Sequence, residues 1–294
     1  MESKLLGFNM AKLFPILAVS GLSIIGAGGW YGFSGLRPKN LKQYLEWQGF
    51  ESAFHASGLV WKSILAEHKE IVTRRTKKTN PTESDIKDWC IQHLYATDYE
   101  SFKDDASKIC VNNPETVRAK IIQQDGDIKS LIEGSEGDKN KNYKVAYIFR
   151  KHITGFLGLI SFTPPEKGEG IEGGGRALEK WCKKSLDSKP DDFLVANVKS
   201  LCSSKGFNTI KELIEKQSET GSLLTDSNNQ AELIKKHNSI NEKSSWLADA
   251  KETSNQSNYF DLKEWCTTYM NKNFYDEGTF SDVYPKFRFR CLKS

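Results

Sequence analysis

Six cysteines are the residues of this chain best placed to do chemistry: Cys90, Cys110, Cys182, Cys202, Cys266 and Cys291. Taken in order they form pairs separated by 20, 20 and 25 residues. There is no Cys-x-x-Cys, and no histidine stands near them at zinc-finger spacing, which argues against a metal site. Two readings remain. One is a disulfide inside each pair, which implies an oxidising compartment and an exported chain. Closing a loop of this length stabilises a fold by about 3 kcal/mol in the chain-entropy account. The other is free thiols packed beside tryptophan in a reduced interior.

Other candidate chemistry is sparse. Gly168-Glu-Gly-Ile-Glu-Gly173 has the form G-x-G-x-x-G. A dinucleotide site would need these glycines to open a helix toward phosphate, which Glu169 and Glu172 would repel. With Pro164-Pro165 just upstream, the expectation is a flexible linker. His55, His68, His93, His152 and His237 form no ligand pair, and His93 reads as a satisfied histidine on the apolar side of a helix. Neither a Gly-x-Ser-x-Gly elbow nor a phosphate-binding loop is present. No catalytic, cofactor-binding or metal-ligating residue is therefore expected, and the chain reads as a non-enzyme.

The elements that carry the cysteines come in three copies. Ile86-Lys87-Asp88-Trp89-Cys90 with Leu94 aligns with Leu178-Glu179-Lys180-Trp181-Cys182 with Leu186. Both align with Leu262-Lys263-Glu264-Trp265-Cys266 with Met270. The apolar positions fall at i, i+3, i+4 and i+8, one face of a helix. Before each second cysteine, the positions four and eight back are again apolar: Ala106 and Phe102, Val198 and Leu194, Phe287 and Val283. The unit reads as a helical hairpin with a cysteine on each arm, and Trp89, Trp181 and Trp265 are its expected core. A further helix is expected from Asn113-Pro114, with Asn as cap and Pro at the first position, and its counterpart from Asn208.

Polar, Gly-rich stretches at 134–142, 163–175 and 218–230 suggest the divisions. The expected organisation is a basic n-region over 1–12, a signal anchor over 13–36, and repeat units at 40–133, 134–222 and 223–294. The fold class is mainly α, with a transmembrane helix followed by tandem, disulfide-stapled helical repeats. Residues 143–162 are aromatic and β-branched enough to admit a strand.

Residues 13–36 are 24 residues without a formal charge, and a bilayer core needs roughly 20 apolar residues as helix. Trp30 and Tyr31 suit the headgroup layer. An uncleaved anchor, a cleaved signal peptide ending near Gly26-Ala27-Gly28, and a non-spanning hairpin are the three readings. Arg37, Lys39 and Lys42 follow the segment and by charge counting favour a cytoplasmic body, opposite to what paired cysteines imply.

The chain has 294 residues, 38% hydrophobic and 27% charged, with net charge +4. Lys4, Lys12, Arg37 and Lys39 against Glu2 put most of that charge on the first 39 residues. The nearly neutral remainder has no electrostatic drive toward nucleic acid. The densest basic run, Arg74-Arg75-Thr76-Lys77-Lys78, reads as a solvated helix end, with an anionic-lipid or nucleic-acid contact as the alternative.

The Lys-containing start, the Ala/Gly-rich hydrophobic segment and the Trp-Cys helices in a Lys/Glu/Asn-rich body resemble the large paralogous protein families of haemotropic mycoplasmas. That resemblance covers the chain in outline and supplies no catalytic residues. It implies a wall-less, blood-dwelling bacterium and surface display with antigenic variation. The functional expectation is a membrane-anchored, surface-displayed protein that touches host surface or plasma molecules. The alternatives are a cytoplasm-facing membrane scaffold with free thiols and an exported hydrolase of unrecognised type.

Overall fold

The computed structural model describes residues 37–250 and 258–293, so the n-region 1–12 and the segment 13–36 lie outside the described residues. The described residues from Asn40 onward form one compact unit. Its helices are α1 (Leu41–Trp47), α2 (Gly58–Glu67), α3 (Lys69–Thr76), α4 (Glu83–His93), α5 (Lys103–Ile109), α6 (Val117–Asp125), α7 (Lys139–Ile148) and α8 (Phe156–Leu159). They continue with α9 (Ile171–Leu186), α10 (Asp192–Leu201), α11 (Ile210–Lys216), α12 (Gln230–Ile240), α13 (Ser244–Ala250), α14 (Tyr259–Tyr269) and α15 (Tyr284–Cys291). Among the described residues there is no β-strand, only isolated two-residue bridges. The strand admitted for 143–162 is absent: α7 and α8 occupy the segment, and α7 buries Tyr143, Val145, Ala146, Tyr147 and Ile148 on packed neighbours. Tertiary burial outweighs strand propensity there.

The Trp-Cys segments are α4, α9 and α14. Each buries three of the four expected stripe positions: Ile86, Trp89 and Cys90 in α4, Leu178, Cys182 and Leu186 in α9, and Leu262, Trp265 and Cys266 in α14, with Leu94, Trp181 and Met270 half-buried. Capping boxes start two of them, Thr82 with Asp85 and Asn258 with Asp261, which satisfies backbone donors that the helix leaves open. Each then packs on the helix carrying the second cysteine, α5, α10 or α15, and most extensively among earlier helices on α2, α7 or α12.

Backbone hydrogen bonds recur in all three copies and define their extent. The carbonyl six residues after the first cysteine accepts from the first turn of α1, α6 or α11: Leu41 N to Ala96 O at 3.2 Å, Val117 N to Ser188 O at 2.9 Å and Ile210 N to Lys272 O at 3.1 Å. The carbonyl of the second cysteine accepts from Ala53 N at 3.1 Å, Ile132 N at 2.9 Å and Leu224 N at 2.8 Å. Two residues later the chain donates back, Asn112 N to Glu51 O, Ser204 N to Ser130 O and Lys293 N to Ser222 O. Each copy is therefore a five-helix unit, spanning about 40–112, 116–204 and 209–293. The helices α6 and α11 open copies two and three, as α1 opens copy one. In this register the polar stretches 134–142 and 218–230 lie inside copies. The divisions drawn there from composition fall within packed units, because polar surface loops occur inside a unit as readily as between units.

Two further expectations are corrected. The helix expected from Asn113-Pro114 begins at Val117, because Thr116 is its cap. The Thr116 hydroxyl accepts from Ala119 N at 3.2 Å and donates to Glu67 at 2.5 Å, which joins copies one and two. Its counterpart begins at Ile210 behind a Thr209–Glu212 capping box. The glycine run at 168–175 is ordered structure. Gly168 and Gly170 take positive φ of 83° and 67°, which costs glycine nothing. Gly173, Gly174 and Gly175 lie within α9 and let it approach α7: a Cβ on Gly174 would enter the Tyr147 ring, and one on Gly175 would meet Lys144 Cα at 3.2 Å.

Apolar packing forms one cluster over Leu41–Val111 and a second, continuous cluster through copies two and three from Val117 to Leu292. Replacing Gly174 with alanine overpacks the α7–α9 contact and is expected to cost about 1–3 kcal/mol. Gly158→Ala, which meets no neighbour within 4 Å, is expected to leave stability nearly unchanged or raised. Thermal melting of the two variants checks the contrast.

Candidate functional site

The three cysteine pairs stand where the spacing expected them. Cys90 and Cys110 have their sulfurs at bonding distance and their Cα atoms 5.6 Å apart. Cys182–Cys202 and Cys266–Cys291 repeat this at 5.8 and 5.7 Å. All six are fully buried, and none of the cysteines is free. In each copy the crosslink ties the middle of the Trp-Cys helix to the end of its partner, beside the carbonyl that accepts the recurring backbone bond.

The tryptophans divide. Trp89 and Trp265 are buried, whereas Trp181 is only partly buried against the core. Copy two buries Tyr143, Tyr147 and Phe156 of α7 and α8 in the same apolar cluster. His93 stacks on Trp89 at 4.4 Å and its Nδ1 lies 2.7 Å from Trp89 O, the satisfied histidine expected. In copy three the guanidinium of Arg290 lies 4.8 Å from the Trp265 ring and 5.4 Å from Trp246, with Asp249 at 2.6 Å.

Charges that the sequence left unassigned are used in packing. Arg150, buried, donates to Ser200 O, Ser203 O and Ser203 Oγ at the end of α10, where helix carbonyls are electronegative. Burial lowers its pKa to about 10, still cationic at neutral pH. Glu277 of copy three accepts from Glu169 N at 2.6 Å and Ile171 N at 3.1 Å, and Glu169 Oε2 accepts from Gly278 N at 2.8 Å. The donors within the glycine motif, at the opening of α9, thus face a carboxylate of the same chain. Sequence reading missed this clasp because its halves lie 108 residues apart. The only local signal was the positive-φ glycines before a helix.

Two carboxylates face the four cations of the basic run. Arg74 and Arg75 both bind Asp105, at 2.9 and 2.5 Å, and Lys78 binds Asp85 at 2.5 Å. It forms one wall of a cleft of about 440 Å³ with Asp85, Asp88, Trp89 and His93, in which opposite charges already face each other. A second cleft, about 540 Å³, is lined by Lys235, Lys236, Lys293, Glu232 and Ser239. Neither brings together a nucleophile, a base and an orienting group. Among the described residues no group of three or more His, Cys, Asp or Glu could hold a metal, and no helix is long and apolar enough to cross a membrane.

Comparison with known protein families, characterised proteins and solved structures finds no match for the chain.

Removing one staple by Cys182→Ala with Cys202→Ala is expected to lower stability by about 3 kcal/mol. Denaturant unfolding measures it, and a change of a few tenths would mean that the crosslink carries little of the fold. A second outcome concerns pH. Hydrogen bonds from Lys78, then from the Thr82 backbone and hydroxyl, hold the Asp85 carboxyl at about 2, below its ordinary 3.8. Its contribution to the start of α4 is complete above the ordinary value and is lost as pH falls through about 2. Carboxyl-carbon NMR titration should show this midpoint, and Lys78→Ala should raise it.

Proposed function

We propose that the chain is a membrane-anchored protein whose three stapled helical copies are displayed outside the cell, where they meet host surface or plasma molecules. The observation that supports this most directly is the pairing of all six cysteines within their own copies. Such bonds form and persist in oxidising surroundings, and small repeats with modest cores gain most from them. Residues 13–36 supply the anchor by length and lack of charge. The described body adds exposed aromatic side chains in copies two and three, Phe193 at 77% exposure and Phe289 at 55%, which suit contact with a protein partner.

A second reading, a scaffold facing the cytoplasm, is favoured by Arg37, Lys39 and Lys42 directly after the hydrophobic segment. Alkylation of free thiols on intact cells, followed by peptide mapping without reduction, separates the two. Linked peptides pairing 90 with 110, 182 with 202 and 266 with 291 are expected. Six thiols that react only after lysis would sink the surface reading and leave the scaffold.

A further inference from the structure

Copy one differs from the other two at two exposed positions, and the difference lies beside the point where the body begins. One and five residues after its first cysteine, copy one carries Ile91 and Tyr95, 49% and 67% exposed. The same positions are Lys183 and Asp187 in copy two and Thr267 and Asn271 in copy three, all exposed. Ile91 lies in the last turn of α4, and Tyr95 lies in the turn that follows it. Only copy one presents apolar side chains there.

The fold ties this face to the start of the body. Leu41 N donates to Ala96 O at 3.2 Å and Lys42 N to Leu94 O at 2.9 Å, so the 94–96 turn abuts the first residues of α1. Between Leu36, where the uncharged segment ends, and Asn40, where the compact unit starts, there are only Arg37, Pro38 and Lys39. Fully extended, that connection reaches about 14 Å, against a headgroup layer of roughly 5–8 Å on each side of a bilayer. Arg37 and Lys39 add positive charge at the same end, where Lys42 pairs with Glu46 at 3.8 Å.

We propose that Ile91 and Tyr95 form a membrane-resting face, which seats copy one in the headgroup layer of the bilayer that holds residues 13–36. The proposal rests on the anchoring reading of that segment. Tyrosine suits this layer, with its ring toward the acyl chains and its hydroxyl in water. Two side chains would not recruit a free protein to a membrane. On a body already tethered there, the second contact is intramolecular, and a small face suffices. The seat fixes which surfaces remain open: the corresponding polar faces of copies two and three stay in water.

The test uses the full chain reconstituted in phosphatidylcholine–phosphatidylglycerol vesicles containing a phospholipid with a photoactivatable group just below its headgroup. After irradiation, lipid adducts are mapped by mass. The peptide containing Ile91 and Tyr95 should be labelled several-fold above those containing Phe193 and Phe289. Ile91→Ser with Tyr95→Ser should bring it down to their level while labelling of 13–36 and the melting temperature hold. If the chain resists carbonate extraction and 13–36 is labelled, but 91–95 is labelled no more than Phe193, the seat is wrong and the anchor stands. If carbonate releases the chain and 13–36 carries no adduct, the anchor reading falls and takes the seat with it.

Discussion

The crosslink at the base of each Trp-Cys hairpin is the constraint on which the other features of a copy depend. A copy is under 90 residues, holds short helices and shares its apolar surface with its neighbours. Helices of seven to eleven residues, such as α4, α5 and α14, are marginal by themselves in water. Tying the middle of one to the end of the next restricts the unfolded chain and sets the angle at which their apolar faces meet. The carbonyl of the second cysteine is then held where a strap from the start of the copy can donate to it. The covalent bond and the backbone bond thus fix one corner, three times over.

Beyond that corner the copies are free to diverge, and they do so by packing. Copy two brings α7 against α9 so closely that glycine replaces side chains at the crossing, and it buries aromatic residues of α7 and α8. Copy three uses Arg290 between two tryptophan rings with Asp249 as counter-ion. Copy one keeps Trp89 stacked with His93. The same backbone connections therefore support three different interiors, as expected where a repeat is held by local staples and nearest-neighbour contacts.

The junctions are polar and specific. Glu67 joins copy one to the cap of α6, and the reciprocal contacts of Glu169 and Glu277 join copy two to copy three. In each case a carboxylate satisfies backbone donors at or just before a helix start, which that end of a helix favours. Charged residues that look like ordinary solvated surface in the sequence thus hold the array in register, while the core of copies two and three runs on without a break.

Much of the local structure was readable from the chain itself. Helical periodicity and the near-constant cysteine separation are short-range properties written in side-chain types, so the Trp-Cys helices, their hairpin partners and the cysteine pairs could be expected without coordinates. The glycine motif was misread as a linker, because close helix approach and an acceptor 108 residues away leave no local mark. Where one copy ends and the next begins was also hidden. That register is set by backbone N–H and C=O groups, which every residue type carries and which therefore have no signature in the sequence. Only the folded chain brings Leu41 to Ala96, Val117 to Ser188 and Ile210 to Lys272. Those contacts place α6 and α11 at the head of a copy, where composition had placed them at its tail.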